Sequence, residues 1–153
     1  AASMGDETKY YLPRSKPGQN PLDMSFSGLK TAALNLIHHA EQVGEEIDIP
    51  SLCAGFTAAV SDTLVPRVVR AIEETGCKKI AVAGGVAANS RIRADILAAA
   101  EKLGAEVYMP PLKLCGDNGA MIGAQAYYEF LAGNTAGMEL NAYATKSILG
   151  EKI

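Results

Sequence analysis

Residues 79 to 109 read as strand, turn, helix and strand, and this order constrains the fold more than any other feature of the chain. Lys79-Ile80-Ala81-Val82-Ala83 is a short apolar run with β-branched residues, the pattern of a buried strand. Gly84-Gly85 breaks it. A helix follows over 89–103, with Ile92, Ile96, Ala100 and Leu103 on one face and Gly104 closing it. Glu106-Val107-Tyr108-Met109 forms a second strand, stopped by Pro110-Pro111. Two strands joined through a helix in about thirty residues make a parallel pair with a right-handed crossover. The class is therefore α/β. Two parallel strands make a poor sheet alone, so the pattern predicts an incomplete, helix-rich unit whose remaining strands belong to another part of the polypeptide.

The flanking sequence is mostly helical. Residues 1–25 form an irregular opening segment, punctuated by Pro13, Pro17 and Pro21, with at most a short strand over 10–12. A helix is predicted over 27–42 with Ser27 as its N-cap and Leu29, Ala33, Leu36, Ile37 and Ala40 on its apolar face. A longer one begins at Ser51 and ends near Gly76. Its buried stripe is Leu52, Phe56, Ala59, Val60, Leu64, Val68 and Ile72. Pro66 inside it predicts a kink or a break. A last helix runs from Asp117 to about Ala132, and the tail 135–153 is irregular. Without repeats or low-complexity tracts, the 153 residues read as one lobe.

Composition narrows the function classes. Hydrophobic residues make up 48% and charged residues 20%, which is globular. The net charge of −3 does not fit a free-standing nucleic-acid-binding domain. Contact with RNA would then come from a local patch or from another part of a larger protein. No unbroken apolar run of eighteen residues predicts a spanning helix, no leader peptide is visible, and the expected location is cytoplasmic. Three cysteines without C-x-x-C spacing argue against a zinc ribbon and a disulfide framework. Cys53 and Cys115, in apolar company, read as buried inert thiols. His38 and His39 are neighbours, about 100° apart on a helix, and cannot chelate as an i, i+4 pair does. Neither H-E-x-x-H nor G-x-S-x-G occurs.

Three stretches can carry chemistry. Gly84-Gly85-Val86-Ala87-Ala88-Asn89 lies between a strand's carboxyl end and a helix, where ligands of open α/β sheets bind. Two glycines let a flat ligand lie on bare backbone, and Asn89 offers a donor and an acceptor. The same residues also suit a plain strand-to-helix turn capped by Asn89. It is neither a dinucleotide fingerprint nor a P-loop. Leu114-Cys115-Gly116-Asp117-Asn118-Gly119-Ala120-Met121-Ile122 places Asp117 at a helix start, as an N-cap or as one ligand of a metal. Ser25-Phe26-Ser27-Gly28-Leu29-Lys30-Thr31 opens the first helix, where an anion or merely solvent meets Lys30. Arg67, Arg70, Lys78, Lys79, Arg91 and Arg93 form a loose basic group, either solvated or in contact with phosphate.

Taken in order and spacing, the three stretches resemble the carboxy-terminal half of the TsaD (Gcp) family, over roughly residues 5–143. The resemblance implies one lobe of the actin, Hsp70 and sugar-kinase fold. It implies a tRNA N6-adenosine threonylcarbamoyltransferase, which moves a threonylcarbamoyl group from its adenylate to the adenosine beside the anticodon and releases AMP. The legacy name O-sialoglycoprotein endopeptidase finds no support in these residues. By the same resemblance Gly84 and Gly85 lie under the adenosine, Asn89 binds substrate, and Asp117 is a ligand of one divalent metal, iron or zinc. The implied partners are threonylcarbamoyl-adenylate or another adenine nucleotide, tRNA, and the companion proteins of a tRNA-modification complex. The family's H-x-x-x-H metal pair and its S-G-G-H-T phosphate stretch do not occur here. This predicts a truncated piece that is inactive alone, and it leaves open a free-standing nucleotide- or partner-binding module. Gly116 stands where threonine is common in the family, and Pro66 interrupts a helix usually free of proline. A lobe of a sugar or acetate kinase fits less well, because of Asp117-Asn118-Gly119-Ala120-Met121.

Overall fold

The structure, a computed structural model, describes residues 2–15 and 20–142. Its elements are α1 (Ser27–Val43), α2 (Ile49–Thr75), β1 (Lys79–Ala81), α3 (Ser90–Lys102), β2 (Glu106–Tyr108) and α4 (Gly119–Leu131). Short 3-10 turns cover Ala2–Met4, Gly85–Ala88 and Leu112–Leu114. The chain divides into two compact units, 1–116 and 117–153. The first holds α1 to β2; the second holds α4. The expected α/β class holds in the first unit: β1 and β2 pair in parallel, with Lys79 opposite Glu106, Ile80 opposite Val107 and Ala81 opposite Tyr108.

Sequence and structure differ at informative places. Residues 79–83 are not a buried strand. The strand covers only Lys79–Ala81, and Ile80 alone of the three is even half-buried. Among the described residues the sheet has two strands, so both are edge strands with no neighbour on their outer sides. Residues 10–12 form no strand. Leu12 is instead fully buried in a cluster with Leu29 of α1 and Leu52 and Ala59 of α2, and Tyr10 packs beside it. The backbone N–H of Asp48 donates to the Tyr10 hydroxyl at 3.0 Å, which ties this irregular segment to the start of α2. A Cβ at Gly5 would collide with the Pro50 backbone, so that close approach requires glycine. The tail expected over 135–153 is irregular to residue 142; beyond that it lies outside the described residues.

Helix α2 is the axis of the first unit. It packs against α1, the opening segment and α3. Of the predicted stripe Leu52, Ala59 and Ile72 are buried, and they are joined by Ser51, Ala54, Gly55, Ala58, Ser61, Thr63 and Arg67, all outside it. Small side chains permit these elements to approach closely. Pro66 neither ends nor splits the helix. Pro66 has no N–H to offer the Asp62 carbonyl, and both residues are exposed. By length and mean hydropathy α2 is apolar enough to cross a membrane, unlike the expectation from unbroken apolar runs. Its buried Thr63 and Arg67 hydrogen-bond within the fold, as in a core helix. Arg67 donates to the carbonyls of Asp23 (2.7 Å), Thr63 (2.7 Å) and Ser15 (3.2 Å) and so clamps the opening segment.

Caps set the helix ends. Gly76 closes α2 in the left-handed region, as its position predicts. Ser27 is not a cap: Phe26 holds that position without a side-chain bond, and Ser27 is the first helical residue. Asp48 caps α2, which starts at Ile49, two residues before the predicted start. It accepts from the Ser51 amide at 3.3 Å, the Ser51 hydroxyl at 2.8 Å and Lys9 Nζ at 2.8 Å. Lys9 first, then Ser51, pull the Asp48 carboxyl down to about 2. That lies below an unfolded aspartate, near pH 3.9. The stability it contributes is present above about pH 4 and is lost as pH falls through about 2. Melting curves should show unaltered protein above Asp48→Ala at about pH 6, with the gap closing towards pH 2. A gap independent of pH would remove this linkage.

Candidate functional site

The candidate site is built where the parallel strands end. The Val82 amide donates to the Tyr108 carbonyl at 2.9 Å, and the chain then turns at Gly84. Gly84 has φ 90° and ψ 169°, a conformation that only glycine adopts without strain. Its carbonyl accepts from the Ala87 amide at 3.0 Å, and the Val86 carbonyl accepts from the Asn89 amide at 3.0 Å. Buried Ala87 anchors this 3-10 turn from beneath. A Cβ at Gly84 or at Gly85 would meet nothing within 4 Å. Both glycines therefore present bare backbone to open space.

Asn89 is the N-cap of α3. Its side-chain oxygen accepts from the amides of Arg91 at 3.0 Å and Ile92 at 3.2 Å. The capping role offered by the sequence is therefore realised. It occupies Oδ1 and leaves the Nδ2 amide without a partner among the described residues. Asn89 and Gly85 share a concavity of about 330 Å³, walled by Phe56, Thr57 and Val60 of α2 and by Ile92. On its other side Asn89 borders a more polar concavity of about 390 Å³ with Glu7, Thr57 and Arg91. A larger groove of about 630 Å³ runs between α2 and α3 past Pro66 and holds none of the predicted site residues.

Asp117 belongs to the second unit. The sequence allowed it to be the cap of α4; the structure gives that position to Asn118, whose side chain accepts from the Met121 amide at 3.0 Å. The helix starts two residues later than predicted, so Asp117 falls outside it. Its side chain is exposed and has no hydrogen bond or ion pair among the described residues. No group of three His, Cys, Asp or Glu that could hold a metal occurs among the described residues. His38 and His39 are exposed on α1. The described residues therefore do not build a metal centre by themselves.

The loose basic group is largely committed elsewhere. Arg67 is the buried clamp described above. Arg70 pairs with Glu74, Arg91 bridges Glu7 at 2.8 Å and Asp95 at 2.6 Å, and Lys78 donates to the Leu103 carbonyl at 2.7 Å. Glu7, then Asp95, raise the Arg91 pKa further. The three cysteines are free; Cys115 is buried as expected, Cys53 is half-buried and Cys77 is exposed. At the start of α1 the Ser27 amide donates to Ser25 Oγ at 3.4 Å, and Lys30 is exposed.

Residues 1–124 match the family described as TsaD, tRNA N6-adenosine threonylcarbamoyltransferase. The chain belongs to the TsaD family. The matched region contains Gly84, Gly85, Asn89 and Asp117. Curated TsaD relatives bearing the name tRNA N6-adenosine threonylcarbamoyltransferase include one from Latilactobacillus sakei, 45% identical over 143 residues. Others come from Moorella thermoacetica, 44% identical over 141 residues, and Lactobacillus delbrueckii subsp. bulgaricus, 48% identical over 144 residues. Each alignment covers 92% of this chain and 41% of the TsaD relative. The chain thus spans about two-fifths of the length of the relatives it matches.

Proposed function

We propose that this chain is part of a tRNA N6-adenosine threonylcarbamoyltransferase and forms one carboxy-terminal lobe of the actin, Hsp70 and sugar-kinase fold. The observation that carries the proposal is the 84–89 turn. Two exposed glycines and the unpartnered Asn89 Nδ2 meet at the carboxyl end of β1, in a chain of the TsaD family. The ligand is threonylcarbamoyl-adenylate or another adenine nucleotide. Its adenosine lies on the backbone of Gly84 and Gly85, and Asn89 Nδ2 donates to an acceptor on ribose or base while Oδ1 continues to cap α3. The other substrate is tRNA, whose N6 amine receives the threonylcarbamoyl group as AMP leaves. Companion proteins of the modification complex assist, and the setting is cytoplasmic. Asp117 supplies one ligand of a divalent ion, iron or zinc, and the remaining ligands come from the part of the relatives' length that this chain does not span.

A second reading, a nucleotide- or partner-binding module without catalysis, is favoured only by the lack of a three-ligand group among the described residues. The upstream reading frame separates the two. An in-frame H-x-x-x-H supports the transferase, and a stop codon supports the module.

The glycine site has a test free of folding artefacts. Gly85 lacks a positive φ and has open space at its Cβ, so Gly85→Val should fold normally yet place a branched side chain in the ligand's path. Asn89→Asp keeps the capping oxygen and removes the Nδ2 donor. It should weaken binding by at least about 0.5–1.5 kcal/mol. Calorimetric titration of the full-length protein with AMP reads both variants. Unaltered affinity in both would return these residues to a structural turn.

A further inference from the structure

Arg93, one turn into α3, was read from the sequence only as a member of the basic group. It is half-buried and has no carboxylate partner among the described residues. Its Nη1 donates to the Ala87 carbonyl at 2.8 Å, inside the turn that follows β1. Nη1 and Nη2 both donate to the Pro110 carbonyl at 3.3 Å, in the segment that follows β2. Nη1 also lies 3.7 Å from the sulfur of buried Cys115, whose Sγ is 3.8 Å from the Pro110 carbonyl and 3.6 Å from that of Pro111. Each segment has its own short-range bonds: Ala87 to Gly84 and Asn89 to Val86 in one, Leu114 to Pro111 and Cys115 to Leu112 in the other. Those bonds shape each segment, but none of them crosses to the other. The guanidinium does.

We infer that Arg93 is a positioning residue that locks the 84–89 turn to the 110–115 segment and thereby holds Gly85 and Asn89 in binding geometry. The functional part rests on the nucleotide reading above; the clamp rests on the distances alone. A planar fork reaches both carbonyls together, whereas a lysine ammonium placed to serve one leaves the other unpaired. Without the clamp, the two segments keep their internal turns and lose their mutual register.

The test is Arg93→Lys in the full-length protein, with Arg93→Gln as a second variant should the first fail to fold. Hydrogen exchange at the Ala87, Asn89, Leu114 and Cys115 amides should accelerate about tenfold in both segments together. The buried amides of α2 should not change, which reports an intact fold. AMP affinity should fall about tenfold. Cys115→Ala removes the thiol but neither carbonyl bond, and should match the unaltered protein in both measurements. Unchanged exchange, or faster exchange in one segment alone, overturns the clamp. Faster exchange in both with unchanged AMP affinity overturns the positioning role. If the unaltered protein does not bind AMP, the nucleotide reading fails, and the exchange data still decide whether Arg93 joins the segments.

Discussion

Threonylcarbamoyl transfer to tRNA by the isolated 153-residue chain is expected to stay at background. A catalytic transition-metal centre needs about three protein ligands arranged around an open position. Among the described residues the chain offers Asp117 without two companions, and no group of three His, Cys, Asp or Glu forms elsewhere. A single exposed carboxylate cannot hold such an ion against water. The chain also spans 41% of the length of relatives that bear the transferase name. The assay is transfer of a labelled threonylcarbamoyl group to unmodified tRNA, with iron or zinc supplied. Turnover above background would sink the assignment of the remaining ligands to the absent part.

Asp117→Asn in the full-length protein should abolish metal retention and transfer while leaving stability nearly unchanged. Asparagine is itself a good cap, so the substitution would preserve a capping role and remove only the negative charge that a ligand needs. The structure sharpens it. Asn118 is the cap, and Asp117 is exposed outside the helix without a partner among the described residues. A surface change away from any contact alters stability by less than about 0.5 kcal/mol. Removing a charged metal ligand should cost more than the roughly 10–100-fold that losing an outer-shell partner costs in affinity or activity. Elemental analysis beside a melting curve decides it. Full metal occupancy with normal turnover would remove Asp117 from the metal site.

The glycine turn was legible in the sequence because its requirement is local. Two glycines at a strand-to-helix junction mark a tight turn in the sequence, though only the structure shows that Gly84 and not Gly85 takes the positive φ. The three ordered stretches were legible as a family pattern for a different reason: each is contiguous, and their spacing survives without coordinates. Arg93 was not legible, because its partners lie 6 and 17 residues away and are backbone carbonyls that leave no mark of residue type. Only its place one turn beyond Asn89, on the helix that the turn opens, could have drawn attention to it.

The same division runs through the whole chain. The sequence by itself determined the parallel βαβ unit, the approximate helices, the Gly76 stop and the family, because 3.6-residue periodicity, glycine stereochemistry and contiguous motifs are written in neighbouring residues. Tertiary structure decided which residue caps α2 and α4, that Pro66 is carried inside one helix, and that Leu12 of an irregular segment is core. It also decided that Arg67 is a buried clamp, reaching carbonyls 44 and 52 residues distant. A residue's burial and its hydrogen-bond partners depend on what the rest of the chain brings against it, and contacts across such separations leave no local pattern to read.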